Sequence, residues 1–246
     1  MNLANLKTKD SISVDQDRVG GRRILDTDVY GLTIELAYLT LSAKNAYALN
    51  IQAKTEDGAT VNQQFWMTSN EDKGCKNTYV DNNGDEQYLP GFQMANTLAL
   101  LTAGCEIAEV ETAEKTINLY NPELKKEAPT KVTMFMGMLG KQVKAGIQRQ
   151  TVDKRVKNEA GQYVPSGETV DVNEIVKFFR YRDDLTVNEI LAQAEEAAFI
   201  KVWLDQNKGN VINKAKGASA NGATKGAPGS TAGAASGAAP KKSLFA

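Results

Sequence analysis

The 246-residue chain, 41% hydrophobic and 24% charged, has the composition of a soluble globular protein and enough apolar residues for one domain with its own core. Its formal charge is −1, but all 30 acidic residues lie at or before Asp205, so the overall balance says little about any one surface. Histidine is absent, and Cys75 and Cys105 stand far apart without a CxxC, which excludes histidine-based triads, the usual zinc and iron ligand sets and a disulfide framework.

Phosphate-binding loops are missing too. Gly137-Met138-Leu139-Gly140-Lys141-Gln142 has the wrong glycine spacing and ends without Ser or Thr. The acidic pairs Glu71-Asp72, Asp183-Asp184 and Glu195-Glu196 read as solvated or helix-capping side chains. The chain is therefore read as a non-enzyme with no cofactor and no metal. No apolar run approaches the roughly 18 to 20 residues that span a bilayer, and the N-terminus lacks the apolar region of a signal peptide. The expected location is the cytoplasm.

Residues 1–28 are polar and broken by Gly20-Gly21, and read as a loosely attached arm. Period-two patterning then begins. Over residues 30–41 it places Ile34, Leu36 and Tyr38 on one side, and over 46–55 it sets Tyr47, Leu49 and Ile51 against Ala48, Asn50, Gln52 and Lys54. Asp57-Gly58 is a hairpin signal, after which Val61, Phe65 and Met67 share one face and Asn62, Gln64 and Trp66 the other. Pro90-Gly91 opens a helix carrying Met94, Leu98 and Leu101, which Gly104 stops. A less regular region follows, with short strands at Val110 and 117–119 and with Pro122 and Pro129 as breakers. Residues 131–139 and 142–150 are predicted strands joined by Gly140-Lys141, and 151–185 a long loop or hairpin turning at 158–161. Thr186 and Glu189 form a capping box for one long helix to about Asp205. Residues 215–246, almost wholly Ala, Gly, Ser, Thr, Pro and Lys, read as a flexible tail ending in Lys241, Lys242, Leu244 and Phe245.

The order strand, strand, strand, helix, strand, strand is that of the OB-fold, a five-stranded barrel commonly used to bind oligonucleotides, although a β-sandwich gives similar alternation. The predicted fold is thus mainly β with helices (α+β): an OB-like five-stranded barrel with an inserted helix over 29–214, a long C-terminal helix and a disordered tail. Binding a flexible single strand needs a cationic groove for phosphates and aromatic faces for bases. The densest basic stretch is Lys141, Lys144, Arg149, Lys154, Arg155 and Lys157. A second, Lys177-Phe178-Phe179-Arg180-Tyr181-Arg182, interleaves aromatics, with Tyr163 between the two. The alternative for each is a solvated strand face over core aromatics. Trp66 on a polar strand face is the sharpest single candidate, against an overlying loop that would cover it. Tyr79 and Tyr88, near Lys73 and Lys76, follow the same logic. Phe199 and Trp203, spaced i, i+4, pack on a neighbouring loop or form a contact surface for a second subunit. The DNA-contacting residues expected on this reading are Trp66, Lys73, Lys76, Tyr79, Lys141, Lys144, Arg149, Lys154, Arg155, Lys157, Tyr163, Arg180 and Arg182, the lysines of 141–157 sharing one concave surface with Trp66.

Ile34-Glu35-Leu36-Ala37-Tyr38-Leu39, Ser42, Trp66-Met67-Thr68-Ser69 and Lys73-Gly74, with Leu89-Pro90-Gly91-Phe92, Asn173-Glu174-Ile175 and Phe178-Phe179, resemble the single-stranded-DNA-binding proteins of tailed bacteriophages. Thr186, Glu189, Ala198-Phe199, Trp203 and Lys208-Gly209 extend the likeness, which spans roughly residues 18–214. The resemblance implies an OB-like core, coating of single strands in phage DNA replication or recombination, and contacts with replication, recombination or transcription proteins through the tail, at Lys241, Lys242, Leu244 and Phe245. The tip departs from the acidic Pro-Phe ending of the bacterial pattern, since Lys241-Lys242 precede Leu244-Phe245 with no acid nearby. The alternative is a phage protein-interaction module that regulates a host or phage polymerase through this tail.

Overall fold

The computed structural model describes residues 23–121, 124–158 and 161–216. In chain order the elements are β1 (Asp28–Leu41), β2 (Tyr47–Thr55), β3 (Thr60–Trp66), β4 (Thr78–Val80), β5 (Glu86–Tyr88), α1 (Pro90–Thr102), β6 (Thr112–Asn121), β7 (Lys126–Phe135), β8 (Gln142–Lys157), β9 (Tyr163–Arg180), α2 (Val187–Leu191), α3 (Phe199–Asn207) and β10 (Val211–Asn213). The fold is mainly β with a few helices. Eight strands share one sheet, and β4–β5 form a separate hairpin.

β1 is the spine of the sheet. β2 pairs along one edge, and β3 extends that meander; the other edge carries β8 along residues 28–33 and β7 at Tyr38 and Leu39. Glu35 is an extra residue in the β1–β2 ladder, because the register shifts between Ile34 and Leu36. A bulge of this kind bends the strand and switches its alternation. Ile34 and Ala37 are consequently the fully buried pair, whereas Leu36 and Tyr38 line a cleft on the opposite face. The expected alignment of Ile34, Leu36 and Tyr38 on one side is corrected by this single inserted residue.

The core lies between the inner face of the sheet and α1. Leu32, Ile34, Leu49, Ile51, Val61, Phe65 and Val143 meet Ala95, Leu98 and Ala99 of the helix. β9 runs beside β8, so the strands follow the cyclic order β1-β2-β3-β9-β8, but β3 and β9 form no backbone ladder among the described residues. Gln63 Oε1 accepts from the Ile175 N–H at 3.3 Å, and the Phe65 and Phe178 rings meet edge-on with centroids 6.0 Å apart. Hydrogen bonding thus does not close the predicted five-stranded barrel.

Further expectations change. The irregular region after α1 is a ten-residue-a-side hairpin, β6–β7. Pro129 fits within it because β1 pairs with β7 only at Met134 and Thr133, so near Pro129 one edge of β7 needs no N–H. The strand expected over 131–139 stops at Phe135, and a 3-10 turn (Met136–Met138) carries Met138 into the core.

The long C-terminal helix is replaced by two helices. Glu189 takes part in the capping box of α2, and its Oε1 also accepts from the N–H groups of Ala198 and Phe199, both at 2.8 Å. One carboxylate therefore caps two helix starts, and Gln193, with φ +54°, turns the chain between them. Trp203 is buried against Phe179 and Ile200, so it belongs to a second small core and not to a subunit surface.

Two residues expected in the loose arm are also packed. Leu25 and Thr27 are buried, and Asn173 holds the Leu25 backbone on both sides, accepting from its N–H at 2.8 Å and donating to its carbonyl at 2.7 Å. The rest of the arm, and the tail with Lys241, Lys242, Leu244 and Phe245, lie outside the described residues.

Candidate nucleic-acid interface

Trp66 stands at the end of β3 on the face that also carries Asn62 and Gln64, and 44% of its surface is exposed. Among the described residues, the ring is left partly open and is not buried under a loop. Its backbone is fixed by α1: a Cβ built on Gly91 would lie 2.0 Å from the Trp66 carbonyl oxygen, so only glycine allows the helix start to seat there. β3, the start of α1 and residues 174–178 of β9 enclose a groove of about 800 Å³. Trp66, Gln63, Gln64, Lys73, Gln93 and Lys177 are among its walls. This groove occupies the gap that the missing β3–β9 ladder leaves open.

The loop after β3 brings in the first cations. Asn70 and Gly74 frame a 3-10 turn (Glu71–Lys73), and Gly74 adopts φ +77°. Ser69 Oγ accepts from the Lys76 N–H at 3.0 Å, while the Ser69 N–H donates to the Lys76 carbonyl at 2.7 Å. Lys73 and Lys76 are thus held beside Tyr79 around a smaller cavity of about 360 Å³, and neither lysine has an ion-pair partner among the described residues. Lys73 lines both cavities. Asn70 also lines the groove, and its Oδ1 is a buried acceptor without a donor.

Lys177 supplies a third cation. It lines the main groove and an adjoining cavity of about 420 Å³ that holds Tyr88, and its Nζ lies 4.9 Å from the centroid of the Phe199 ring. Burial pushes the Lys177 amine below the usual lysine range, and the charge of Glu189 opposes part of that shift. Tyr88 stacks on Phe92 with centroids 5.1 Å apart. Because Thr78 pairs with Tyr88 and Tyr79 with Gln87, the two tyrosines point to opposite faces of the β4–β5 hairpin.

The structure therefore brings together Trp66, Lys73, Lys76 and Tyr79. It does not bring the 141–157 lysines to them, which corrects the expectation of one shared concave surface. β8 is a single extended strand, and its sixteen residues span about 50 Å at roughly 3.3 Å each, so a dense run in sequence is a sparse line in space. Lys141 and Lys144 lie at the end nearest the β2–β3 turn. There Lys144 pairs with Asp184 at 2.5 Å and sits over Tyr181, whose hydroxyl donates to Glu56 at 2.9 Å. Trp66 is at the other end of β3, about 20 Å along the strand.

Half of the basic run, Lys144, Arg149 and Lys154, is also neutralised, as are the arginines of the second cluster. Arg149 binds Asp171 through Nε and Nη2 at 2.9 and 2.7 Å and reaches Asp26 at 3.2 Å. Thr151 and then Arg149 hold the Asp171 carboxyl below its usual range. Lys154 pairs with Glu168 at 2.7 Å. Arg180 forms a two-pronged pair with Asp183, which Arg182 also meets at 3.3 Å. Arg155, Lys157 and Tyr163 occupy the far end of the β8–β9 ribbon, with Lys157 over the Tyr163 ring at 5.3 Å.

Gln63, Asn70 and Gln93 are not singled out by the sequence. Lys177 lies inside the basic–aromatic run that drew attention, but only the structure shows that it lines the groove while Arg180 and Arg182 are engaged by Asp183. Among the described residues no three His, Cys, Asp or Glu side chains converge to hold a metal, and no helix is long and apolar enough to cross a membrane. Compared with family models and with curated proteins, the chain matches none.

Proposed function

We propose that the protein binds single-stranded DNA without strong sequence preference, through the groove between β3, α1 and β9. The observation that carries this reading is an exposed Trp66 at a groove of about 800 Å³ whose walls include Lys73 and Lys177, which have no ion-pair partner among the described residues. An indole ring offers a stacking surface to any base, while lysines meet phosphates as point charges without reading sequence. The remaining polar walls are amides and hydroxyls, suited to adaptable hydrogen bonds with bases, and one carboxylate, Glu174, which Lys214 engages at 3.0 Å. The cyclic strand order and the helix set between β3 and β9 support an OB-like core, with α1 standing where a ladder would close the barrel. The resemblance to phage proteins extends the role to coating strands exposed during phage DNA replication or recombination in the host cytoplasm.

Binding of labelled single-stranded and duplex oligonucleotides across a salt series tests the proposal. The single strand should bind more tightly, and its affinity should fall steeply with salt. Lys73→Gln with Lys76→Gln should reduce the slope of log K against log salt by about 0.7 for each lysine removed. Salt-independent binding, or equal preference for duplex, would sink the reading.

A further inference from the structure

The outer face of the sheet continues the polar side of β3 away from Trp66. Ladder pairing aligns Tyr38 with Asn50 and Asn50 with Gln64, and Thr40 with Ala48 and Ala48 with Trp66, so these side chains form adjacent rows on one surface. Gln64 Nε2 donates to Asn50 Oδ1 at 3.0 Å, and Asn50 Nδ2 donates to Thr40 Oγ1 at 2.7 Å. Above this floor stands the β6–β7 ribbon. Leu119 lines a cleft of about 300 Å³ with Leu36, Tyr38, Asn50, Gln52 and Asn62 below it. Gln63 and Gln64 line both this cleft and the Trp66 groove, so the two spaces meet at β3.

Charge on the ribbon is sorted by face. Met134 pairs with Tyr38 and so continues the outer surface of the sheet. Counting from it in steps of two, the same ribbon face carries Val132, Thr130, Ala128 and Lys126, opposite Lys115, Ile117, Leu119 and Asn121. This face holds two lysines and no carboxylate. Glu114, Glu127 and Lys131 fall on the other face. Lys115 and Lys126 are exposed and have no ion-pair partner among the described residues. On the sheet side, Glu35 is the nearby acid, and Lys54 at 2.7 Å and Gln52 at 3.0 Å engage it.

We propose that a DNA strand held at Trp66 continues across Gln64 and the outer face of β1–β3, passing beneath the β6–β7 ribbon, where Lys115 and Lys126 take its phosphates. The inference rests on the single-strand reading above and adds a second stretch to the binding path. Its support is the shared Gln63–Gln64 wall together with cations on the cleft face of the ribbon and acids on the opposite one.

The test uses the full chain with labelled oligothymidylates of two lengths, about 6 and about 16 nucleotides, near the short and long ends of the roughly 4 to 16 that one OB-type domain covers. The double substitution Lys115→Gln and Lys126→Gln should leave short-strand binding unchanged. On the long strand it should reduce the salt slope by about 1.4, at about 0.7 per lysine. Lys131→Gln, on the opposite face, should change neither. A double variant that matches the wild type on the long strand overturns the path beneath the ribbon, as does a Lys131→Gln effect of equal size. Failure of the wild-type protein to bind either strand would overturn the single-strand reading itself, and the path with it.

Discussion

At the scale of single residues, the two tryptophans divide the labour between binding and folding. Trp66 is 44% exposed, and the start of α1 closely approaches its backbone. Trp66→Ala should therefore cost about 1 to 3 kcal/mol of single-strand affinity, read by titration with oligothymidylate, with little loss of thermal stability. Trp203 is 7% exposed and fills the space above Gly146. Trp203→Ala should cost about 3 to 5 kcal/mol in denaturant unfolding. Alternation along β3 made Trp66 legible in the sequence, since Phe65 and Trp66 must face opposite ways. It could not make the lysines legible, because whether a cation is free depends on acids that arrive from other strands. Asp184 reaches Lys144 from 40 positions away, and Asp26 reaches Arg149 from 123.

At the scale of elements, Glu189 shows how one side chain can end a helix that periodicity would continue. Its carboxylate accepts from Thr186 N–H and Oγ1 at 2.8 and 2.9 Å and from the backbone of Ala198 and Phe199 at 2.8 Å each. Burial alone would raise this carboxyl, but the donors from Thr186, Phe199 and Ala198 hold it below the usual glutamate range. Glu189→Ala should destabilise the fold by about 2 to 3 kcal/mol at neutral pH. The folded-state value is depressed, so this contribution is fully present above the unfolded glutamate value of about 4.3 and is lost as pH falls through the lower folded value. Unfolding curves of wild type and variant should converge over that acid window. Gly91 supplies the second element-level prediction. Gly91→Ala forces α1 off the Trp66 carbonyl, which should cost about 3 kcal/mol of stability and weaken DNA binding together.

At the scale of the whole molecule, β2, β3, α1 and the first half of β8 were readable because each has a clean period and a turn residue at its end. The bulge at Glu35, by contrast, broke the period of β1, and residues 151–185 read only as a long loop or hairpin. β6 and β7 were not readable. Their outer stretch is a two-stranded ribbon with few fully buried side chains, so its pattern is weak, and Pro129 suggested a break that a half-free edge does not require. The groove was the least legible feature, since it arises from an absence: β3 and β9 approach without pairing, and the space between them is walled by β3, the loop after it, the start of α1 and residues 174–178. No local pattern encodes that gap. The central claim is that a DNA base lies against Trp66 in this groove. Trp203→Phe leaves Trp66 as the sole tryptophan of the two in the chain, so its emission reports the groove alone. Titration of that variant with oligothymidylate should quench the emission to saturation, and added salt should restore it. Emission that stays constant while an independent label shows the DNA to be bound would place the strand elsewhere and contradict the account.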